Sequence, residues 1–309
     1  MDVTIIFNNI ITLFLLIFVG FFAGKTGIVS KNATGYLSDI LMKITLPATI
    51  FLSISGTFSQ GILKDSLIIA ILTFTIHSSC ILISLAYTKF FKVPEKDRGI
   101  WVFVSTFSNN GFMGFPIAYA ILGKEGLFLA SISNTVFNIL IFSIGIKIIT
   151  MGFESSKNIS IKKLFMNNNN IAIVLGIIFY ITQTSIPQPI FNSLNHLGNV
   201  TTPLSMILVG LSISGSKIQE MFNDYKLYIL SAVRLLIMPF LAIAVMKFIP
   251  FGSTSLVPKV MAIVLAMPAP SVTAIIAEQY NGNKELAAKV VFLTSIVSMV
   301  TIPIVLMFI

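Results

Sequence analysis

The sequence is poor in the side chains on which most enzyme and metal sites depend. Its 309 residues include one cysteine, Cys80, and only two histidines. A single cysteine excludes an internal disulfide and leaves no cysteine cluster for zinc or an iron–sulfur centre. His77 and Cys80 are three residues apart and share a helix face, but no third group accompanies them to orient a nucleophile and its base. We therefore expect no enzymatic activity, no metal site and no cofactor.

Charge is also scarce. Charged residues make up 10% of the chain, whereas hydrophobic residues make up 56% and include 27 phenylalanines. No soluble domain needs that much apolar surface, so the lipid bilayer is the expected solvent. A net charge of +9 would suggest nucleic acid in a soluble protein. Here lysine and arginine occupy short loops between apolar runs, which membrane topology explains, so we expect no nucleic-acid binding.

Ten apolar runs are each about long enough to cross a bilayer as a helix. The longest polar connection, residues 151–168, lies at the midpoint and is predicted to be a cytoplasmic linker between a first half, residues 1–150, and a second half, residues 169–309. The loops after the odd-numbered spans hold fourteen lysines and arginines against four on the other side. Those loops are therefore predicted to face the cytoplasm, with both termini outside the plasma (inner) membrane. The predicted spans are roughly residues 4–24, 33–56, 66–88, 98–122, 126–149, 169–185, 189–215, 227–249, 257–280 and 285–309.

Two of these spans contain residues that interrupt helices. Residues 108–116 in the fourth span read Ser-Asn-Asn-Gly-Phe-Met-Gly-Phe-Pro, and residues 267–273 in the ninth read Met-Pro-Ala-Pro-Ser-Val-Thr. Glycine and proline there free backbone groups that only a cavity or a bound molecule can satisfy at membrane depth. Interruptions at corresponding places in two halves indicate the binding site of a secondary transporter. The candidate substrate-binding residues are Asn109, Asn110, Gly111, Met113, Gly114, Pro116, Pro268, Ala269, Pro270, Ser271 and Thr273.

The two halves resemble each other. The run Leu-Ser-Ile-Ser-Gly at residues 52–56 recurs at residues 211–215, and Pro47 is echoed by Pro203. Because each half has an odd number of spans, the second half must enter the membrane from the opposite side. We therefore predict an all-α polytopic membrane protein whose ten transmembrane helices form a five-plus-five inverted repeat, with two broken helices, spans 4 and 9, that cross near its centre.

These motifs resemble the auxin efflux carrier family. The resemblance rests on residues 108–116, on Ala266-Met267-Pro268 and on the run Ala-Glu-Gln-Tyr-Asn at residues 277–281, and it covers essentially the whole chain. Plant members of that family move auxin, and bacterial members are often described as malate or other organic-acid permeases. The resemblance implies a crossover transport domain, spans 3–5 and 8–10, that slides against a scaffold domain, spans 1, 2, 6 and 7. It places Asn109 in the substrate site and is consistent with a homodimer.

The cargo depends on how the broken spans are interpreted. Asn109 and Asn110 either bind a substrate, as donors to a carboxylate or as oxygen ligands for a cation, or they satisfy the freed backbone of the break. The helix that follows each break begins with a partial positive charge, which favours a small organic anion such as malate or an auxin-like acid. The alternatives are a sodium-coupled symporter of another substrate and a cation/proton antiporter. An antiporter needs a titratable acid that neither break contains, and the coupling ion, H⁺ or Na⁺, stays open.

Four charged side chains lie within or near the predicted spans, and each has two interpretations. Asp39 and Lys43 have the i,i+4 spacing of an ion pair, or they contact substrate or a proton. Arg234 either reaches the inner membrane surface with its long side chain or acts as a countercharge for an anionic substrate. Glu278 is either an interfacial carboxylate or the carrier of a coupled proton.

Two sets of uncharged residues complete the candidates. The first either lines the scaffold side of the pathway or forms proline kinks whose freed carbonyls are capped by neighbouring hydroxyls. The second occupies matching places in spans 5 and 10 and forms either a cation site or bonds between helices. The first set is Thr45, Pro47, Thr202 and Pro203; the second is Asn134, Asn138, Thr294 and Ser298.

Overall fold

The structure is a computed structural model that describes residues 3–30, 33–55, 60–152, 168–214, 225–252, 255–270, 272–279 and 282–308. All regular secondary structure within these ranges is helical. By length and composition, five stretches are long and apolar enough to cross a membrane, and three shorter helices are also apolar. The chain is therefore an all-helical, multi-pass membrane protein. The five stretches are Ala33–Leu52, Lys64–Phe90, Glu95–Ile149, Tyr225–Met246 and Glu285–Leu306.

The helices begin and end within a few residues of the predicted spans, because each apolar run is bounded by polar or turn-forming residues. Where a predicted span is interrupted or contains a wider turn, it appears as two numbered helices. In chain order they are α1 Val3–Lys25, α2 Ala33–Ile40, α3 Leu46–Ile54, α4 Gln60–Phe90, α5 Glu95–Thr106, α6 Phe115–Leu140, α7 Ile146–Ile149, α8 Asn168–Thr182, α9 Gln188–Ser214, α10 Tyr225–Ala232, α11 Met238–Met246, α12 Val257–Ala266, α13 Val272–Gln279 and α14 Lys284–Leu306.

Three π-helical turns precede prolines. Leu41–Thr45 connects α2 to α3, Asn110–Gly114 leads into α6, and Val233–Ile237 connects α10 to α11; in each case proline is the second residue of the helix that follows. Proline has no N–H to donate, so the helix cannot continue its regular bonding through that position. The wider turn is one of the local adjustments by which a membrane helix accommodates a proline.

At Pro47 the freed backbone finds a partner in another helix. The carbonyl of Lys43, four residues before the proline, accepts a hydrogen bond of 2.9 Å from Nδ2 of Asn168, the first residue of α8. The hydroxyl of Thr45 instead donates to the carbonyl of Leu41, at 3.4 Å. The expectation that a neighbouring hydroxyl caps the carbonyl freed by Pro47 is therefore wrong, because an amide from α8 lies closer to it.

Helix α6 contains the connection between the fourth and fifth predicted spans. Gly123 has φ +66° and ψ −155°, so two helices meet there at a kink. A positive φ is costly for any residue with a Cβ atom, which is why glycine occupies this corner. The kink lies between the predicted ends of the two spans, residues 122 and 126.

By its internal contacts the chain divides into two compact units. The first unit contains residues 1–67, 111–132 and 161–216. In it α1 packs closely along α9, because a Cβ atom on Gly20 would lie 2.1 Å from the carbonyl oxygen of Ile207, and one on Gly210 would lie 2.0 Å from that of Ile17. Small residues let two helix backbones approach in lipid, where dispersion contacts and not hydrophobic burial hold helices together.

The second unit contains residues 68–110, 133–160 and 217–309. Its core includes a cluster of rings in which Phe107 lies 4.8 Å from Phe103 and 5.4 Å from Phe137, measured between ring centroids. His77 packs edge-to-face on Phe137 at 5.5 Å and is fully buried, with Nδ1 2.7 Å from the carbonyl of Thr73. Phe107, which these rings contact, lies in the segment that interrupts the fourth predicted span.

Candidate functional site

The fourth predicted span is broken just after α5. Helix α5 ends at Thr106, Phe107 is extended with φ −99° and ψ 149°, and helical structure resumes at Asn110. Within the break the hydroxyl of Ser108 donates to Oδ1 of Asn110 at 3.0 Å, and the N–H of Asn110 donates to the carbonyl of Ser108 at 2.9 Å. Short polar side chains that bond locally compete with helical hydrogen bonding.

The break therefore lies at the start of the predicted stretch, residues 108–116, before its glycines and its proline. Gly111, Met113 and Gly114 lie in the π-helical turn Asn110–Gly114, neither glycine has a positive φ, and Met113 is buried. Pro116 is the second residue of α6, and the π-helical turn directly before it accommodates its missing N–H. The break predicted within residues 108–116 is present, and the glycines and the proline of that stretch lie in the helical turns that follow it. Ser108 and Asn110 supply the competing hydrogen bonds.

The ninth predicted span is broken where the sequence predicts. Helix α12 ends at Ala266, Met267 is extended with φ −67° and ψ 149°, and α13 begins at Val272. Pro268 and Pro270 lie in this break, where each removes a backbone donor and disfavours a helical conformation in the residue before it. Ser271, a predicted site residue, lies outside the described part of the chain.

The two breaks meet. The backbone N–H of Asn109 donates a hydrogen bond of 2.8 Å to the carbonyl of Pro268. Asn109 and Asn110 are 3% and 1% exposed, and Met267 and Ala269 are fully buried. The extended segments of both broken spans therefore lie side by side in the interior of the second unit, as the predicted crossing requires.

At this crossing the side-chain amide of Asn110 is only half used. Oδ1 accepts from Ser108, but Nδ2 has no hydrogen-bond partner among the residues that the structure describes. An unsatisfied buried donor costs about 1–3 kcal/mol. Such a donor next to a break is therefore suited to a ligand that accepts hydrogen bonds.

Hydroxyl groups hold the second break in place. The N–H of Ala269 donates to Oγ1 of Thr294 at 3.2 Å, and that hydroxyl donates in turn to the carbonyl of Val290 in α14 at 2.7 Å. The hydroxyl of Thr273 donates to the carbonyl of Pro270 at 2.6 Å. Thr294 thus joins α14 to the break, as the interpretation of these residues as bonds between helices predicts.

The other members of the predicted cation site are Ser298, Asn134 and Asn138. Ser298 is buried and donates to the carbonyl of Ser295 within its own helix at 2.7 Å. On α6, Asn134 is buried and Asn138 is half-buried. A cation site at these residues stays a prediction.

Arg234 belongs to the crossing and not to the membrane surface. It lies in the π-helical turn between α10 and α11 and is 0% exposed. Its guanidinium donates to the carbonyl of Met267 from Nε at 3.1 Å and from Nη2 at 2.9 Å, to that of Leu265 from Nη2 at 2.9 Å, and to that of Ser105 from Nη1 at 3.4 Å. The prediction that Arg234 reaches the inner surface is wrong, because the carbonyls freed by both breaks lie within its reach.

Of the remaining charged candidates, Asp39 and Lys43 form an exposed ion pair. Lys43 Nζ lies 2.8 Å from Asp39 Oδ2, which confirms the ion pair, and both side chains are more than 60% exposed. Exposed pairs of this kind typically contribute about 0–1 kcal/mol. The backbone of Glu278 lies in the last turn of α13, and its side chain is not among the described ones.

The scaffold candidates lie near a hydroxyl contact inside the first unit. Thr45 is buried, whereas Thr202 and Pro203 are half-buried. Between α3 and α9 the contact is made by their neighbours: Oγ1 of Thr49 lies 2.7 Å from Oγ1 of Thr201. The sequence patterns did not identify Thr49, because it lies two residues after Pro47 in an apolar run and no spacing pattern distinguishes it.

Comparisons with known proteins identify a family of membrane transporters. The sequence profile of a family described as "Membrane transport protein" matches residues 5–306. The chain is 28% identical to an uncharacterized transporter of Methanocaldococcus jannaschii, over 95% of each chain. It is 24% identical to an uncharacterized transporter of Methanothermobacter thermautotrophicus over 96% of each. It is also 21% identical to the uncharacterized transporter YfdV of Escherichia coli K12, over 70% of this chain and 71% of YfdV.

Proposed function

The chain belongs to the membrane transport protein family, the auxin efflux carrier-like family, and from that premise we propose that it is a secondary active carrier of a small organic anion. The observation that supports this most directly is the free side-chain amide N–H of Asn110 beside the crossing. A carboxylate only accepts hydrogen bonds, so it complements a site that offers an unused donor. The proposed cargo is a mono- or dicarboxylate, such as malate or an auxin-like acid.

The helix ends at the crossing favour the same class of cargo. One helical segment begins at Asn110 and α13 begins at Val272, each directly after an extended break. The first N–H groups of a helix lack intrahelical partners and carry a partial positive charge. Two such ends beside an amide donor form an anion site without a charged side chain in contact with the cargo.

We further propose that transport proceeds by an elevator-type motion across the plasma membrane, on a ten-span inverted repeat. The division into two units supports this proposal. The first unit holds α1–α3, α8 and α9, and the second holds most of α4, together with α5 and α10–α14. Residues 111–132, which belong to spans 4 and 5 of the predicted crossover domain, group instead with the first unit.

Uptake into proteoliposomes tests the proposal. Purified protein is reconstituted and given radiolabelled malate or a labelled indole carboxylic acid, with an inward proton gradient, an inward sodium gradient, or neither. We expect saturable uptake of at least one acid that excess unlabelled acid suppresses, and the gradient that accelerates it identifies the coupling ion. Protein-free liposomes are the background. Saturable uptake of an organic cation, with none of either acid, would contradict the anion assignment.

A further inference from the structure

The four helix ends at the crossing differ in the side chains that bind them. Helices α5 and α12 end there, and Arg234 donates to their last carbonyls: Ser105 in α5, and Leu265 and Met267 at the end of α12. The two helical segments that begin after the breaks start at Asn110 and Val272. A cation thus binds the two negative ends.

The charges of these ends can be compared. Each helix end carries an effective charge of roughly half an elementary charge, negative at the C-terminus and positive at the N-terminus. Two C-terminal ends therefore amount to about −1, which one guanidinium cancels. The remaining effective charge is about +1, from the two N-terminal ends. Without Arg234 the four ends would nearly cancel, and the crossing would have little preference for either sign.

Nothing else in the described part of the chain neutralises Arg234. Its hydrogen bonds go to backbone carbonyls, and it belongs neither to the ion pair of Asp39 with Lys43 nor to that of Glu285 with Lys289. A guanidinium is permanently charged, and its planar fork suits several carbonyl oxygens at once. Its three guanidinium nitrogens all donate to backbone carbonyls, so its effect on a cargo acts through the electric field and not through contact.

We propose that Arg234 determines the charge specificity of the site: by neutralising the C-terminal ends of α5 and α12, it leaves the crossing net positive and selective for anions. This inference rests on the proposed function. It assigns a specificity-determining role to a residue that contacts backbone carbonyls and not the cargo. A unit charge acting over about 10 Å at an effective dielectric constant near 20 changes binding by on the order of tenfold.

The test compares malate with its uncharged diamide in proteoliposomes that contain the full-length protein. For each variant the readout is the ratio of kcat/KM for the two compounds, because a purely structural defect lowers both values together. In Arg234→Gln, which keeps an amide donor but no charge, the preference for malate should fall about tenfold for each malate carboxylate that lies about 10 Å from the guanidinium position. In Arg234→Lys, which keeps the charge but loses the planar fork, the preference should persist while both rates fall.

Arg98→Gln is the matched control. Arg98 is half-buried in the first turn of α5, away from the break, and donates to the carbonyl of Val93 at 3.4 Å. Its replacement should leave the preference unchanged. An Arg234→Gln protein with the wild-type ratio would overturn the inference while leaving the carrier assignment intact. If Arg234→Gln is not recovered as folded protein, loss of the preference in Arg234→Lys overturns it instead. If the wild type transports only the indole carboxylic acid, that acid and its uncharged amide replace malate and the diamide in the same comparison. Wild-type protein that takes up neither acid would overturn both the inference and the carrier assignment.

Discussion

At the scale of single residues, Asn110 is the most informative position. Its Oδ1 accepts from Ser108, and its Nδ2 has no partner in the described ranges. Asn110→Asp keeps an acceptor for Ser108 but removes the amide donors and adds a negative charge. Loss of a hydrogen bond to a charged cargo costs about 1.5–3 kcal/mol, so we expect KM for the transported acid to rise about 10- to 100-fold. Initial-rate uptake over a range of acid concentrations measures this.

Asn110→Leu separates function from stability at the same residue. Leucine has a similar volume and removes the unsatisfied donor Nδ2, but it also removes the acceptor of the buried Ser108 hydroxyl. The two effects oppose each other, so we expect a thermal midpoint in detergent close to that of the wild type, with little transport. Asn109→Ala is likewise expected to insert in the membrane, fold and transport little. If Asn110→Asp transported as well as the wild type, the free atom at this site would be an acceptor, and a cation would be the better cargo.

At the scale of helices, close packing of α1 and α9 depends on glycine. A Cβ atom on Gly210 would lie 2.0 Å from the carbonyl oxygen of Ile17, and backbone cannot move aside as a side chain can. We expect Gly210→Ala to destabilise the protein by about 1–3 kcal/mol, seen as a lower thermal midpoint in detergent. Gly35→Ala is the control, since a Cβ atom there meets nothing within 4 Å and Gly35 is inside α2. That change should be neutral or slightly stabilising, and equal effects of the two would refute the packing argument.

The proline in the second predicted span depends on a neighbouring helix. Asn168 Nδ2 donates to the carbonyl of Lys43, one of the groups that Pro47 leaves without a backbone donor. Asn168→Ala should therefore cost about 0.5–1.5 kcal/mol. In a Pro47→Ala background the restored N–H can satisfy this stretch of helix, so the same substitution should cost less. A double-mutant cycle on thermal midpoints checks this, and strictly additive effects would show that the two residues are not coupled.

At the scale of the whole molecule, orientation in the membrane is set by the distribution of lysine and arginine. Lys157 lies in the predicted cytoplasmic linker, and Lys124 lies in the predicted external corner beside Gly123. In intact cells an impermeant maleimide should label Lys124→Cys and not Lys157→Cys, and should label both after permeabilisation. The native Cys80 is 6% exposed, so wild-type protein gives the background. Labelling of Lys157→Cys from outside would reverse the predicted topology.

Much of this architecture could be predicted from the sequence because it depends on residues that are close together in the chain. Apolar runs bounded by polar residues predicted the helices, and prolines 268 and 270 predicted the second break. The first break was predicted within residues 108–116, and it lies at the start of that stretch. Glycine permits an irregular backbone without requiring it, whereas Ser108 and Asn110 form hydrogen bonds that compete with the helix. The Asp39–Lys43 pair was also predictable, because both residues lie on one helix face.

By itself, the sequence determined the membrane class, the helices and the two spans that break, since these follow from hydropathy and backbone propensity over short windows. Only the tertiary structure decided which distant residues form hydrogen bonds with each other. Arg234 reaches a carbonyl 129 residues away at Ser105, and α3 contacts α9 through Thr49 and Thr201, 152 residues apart. Hydrogen bonds between distant residues depend on which helix faces meet in space, and no periodicity along the chain encodes that.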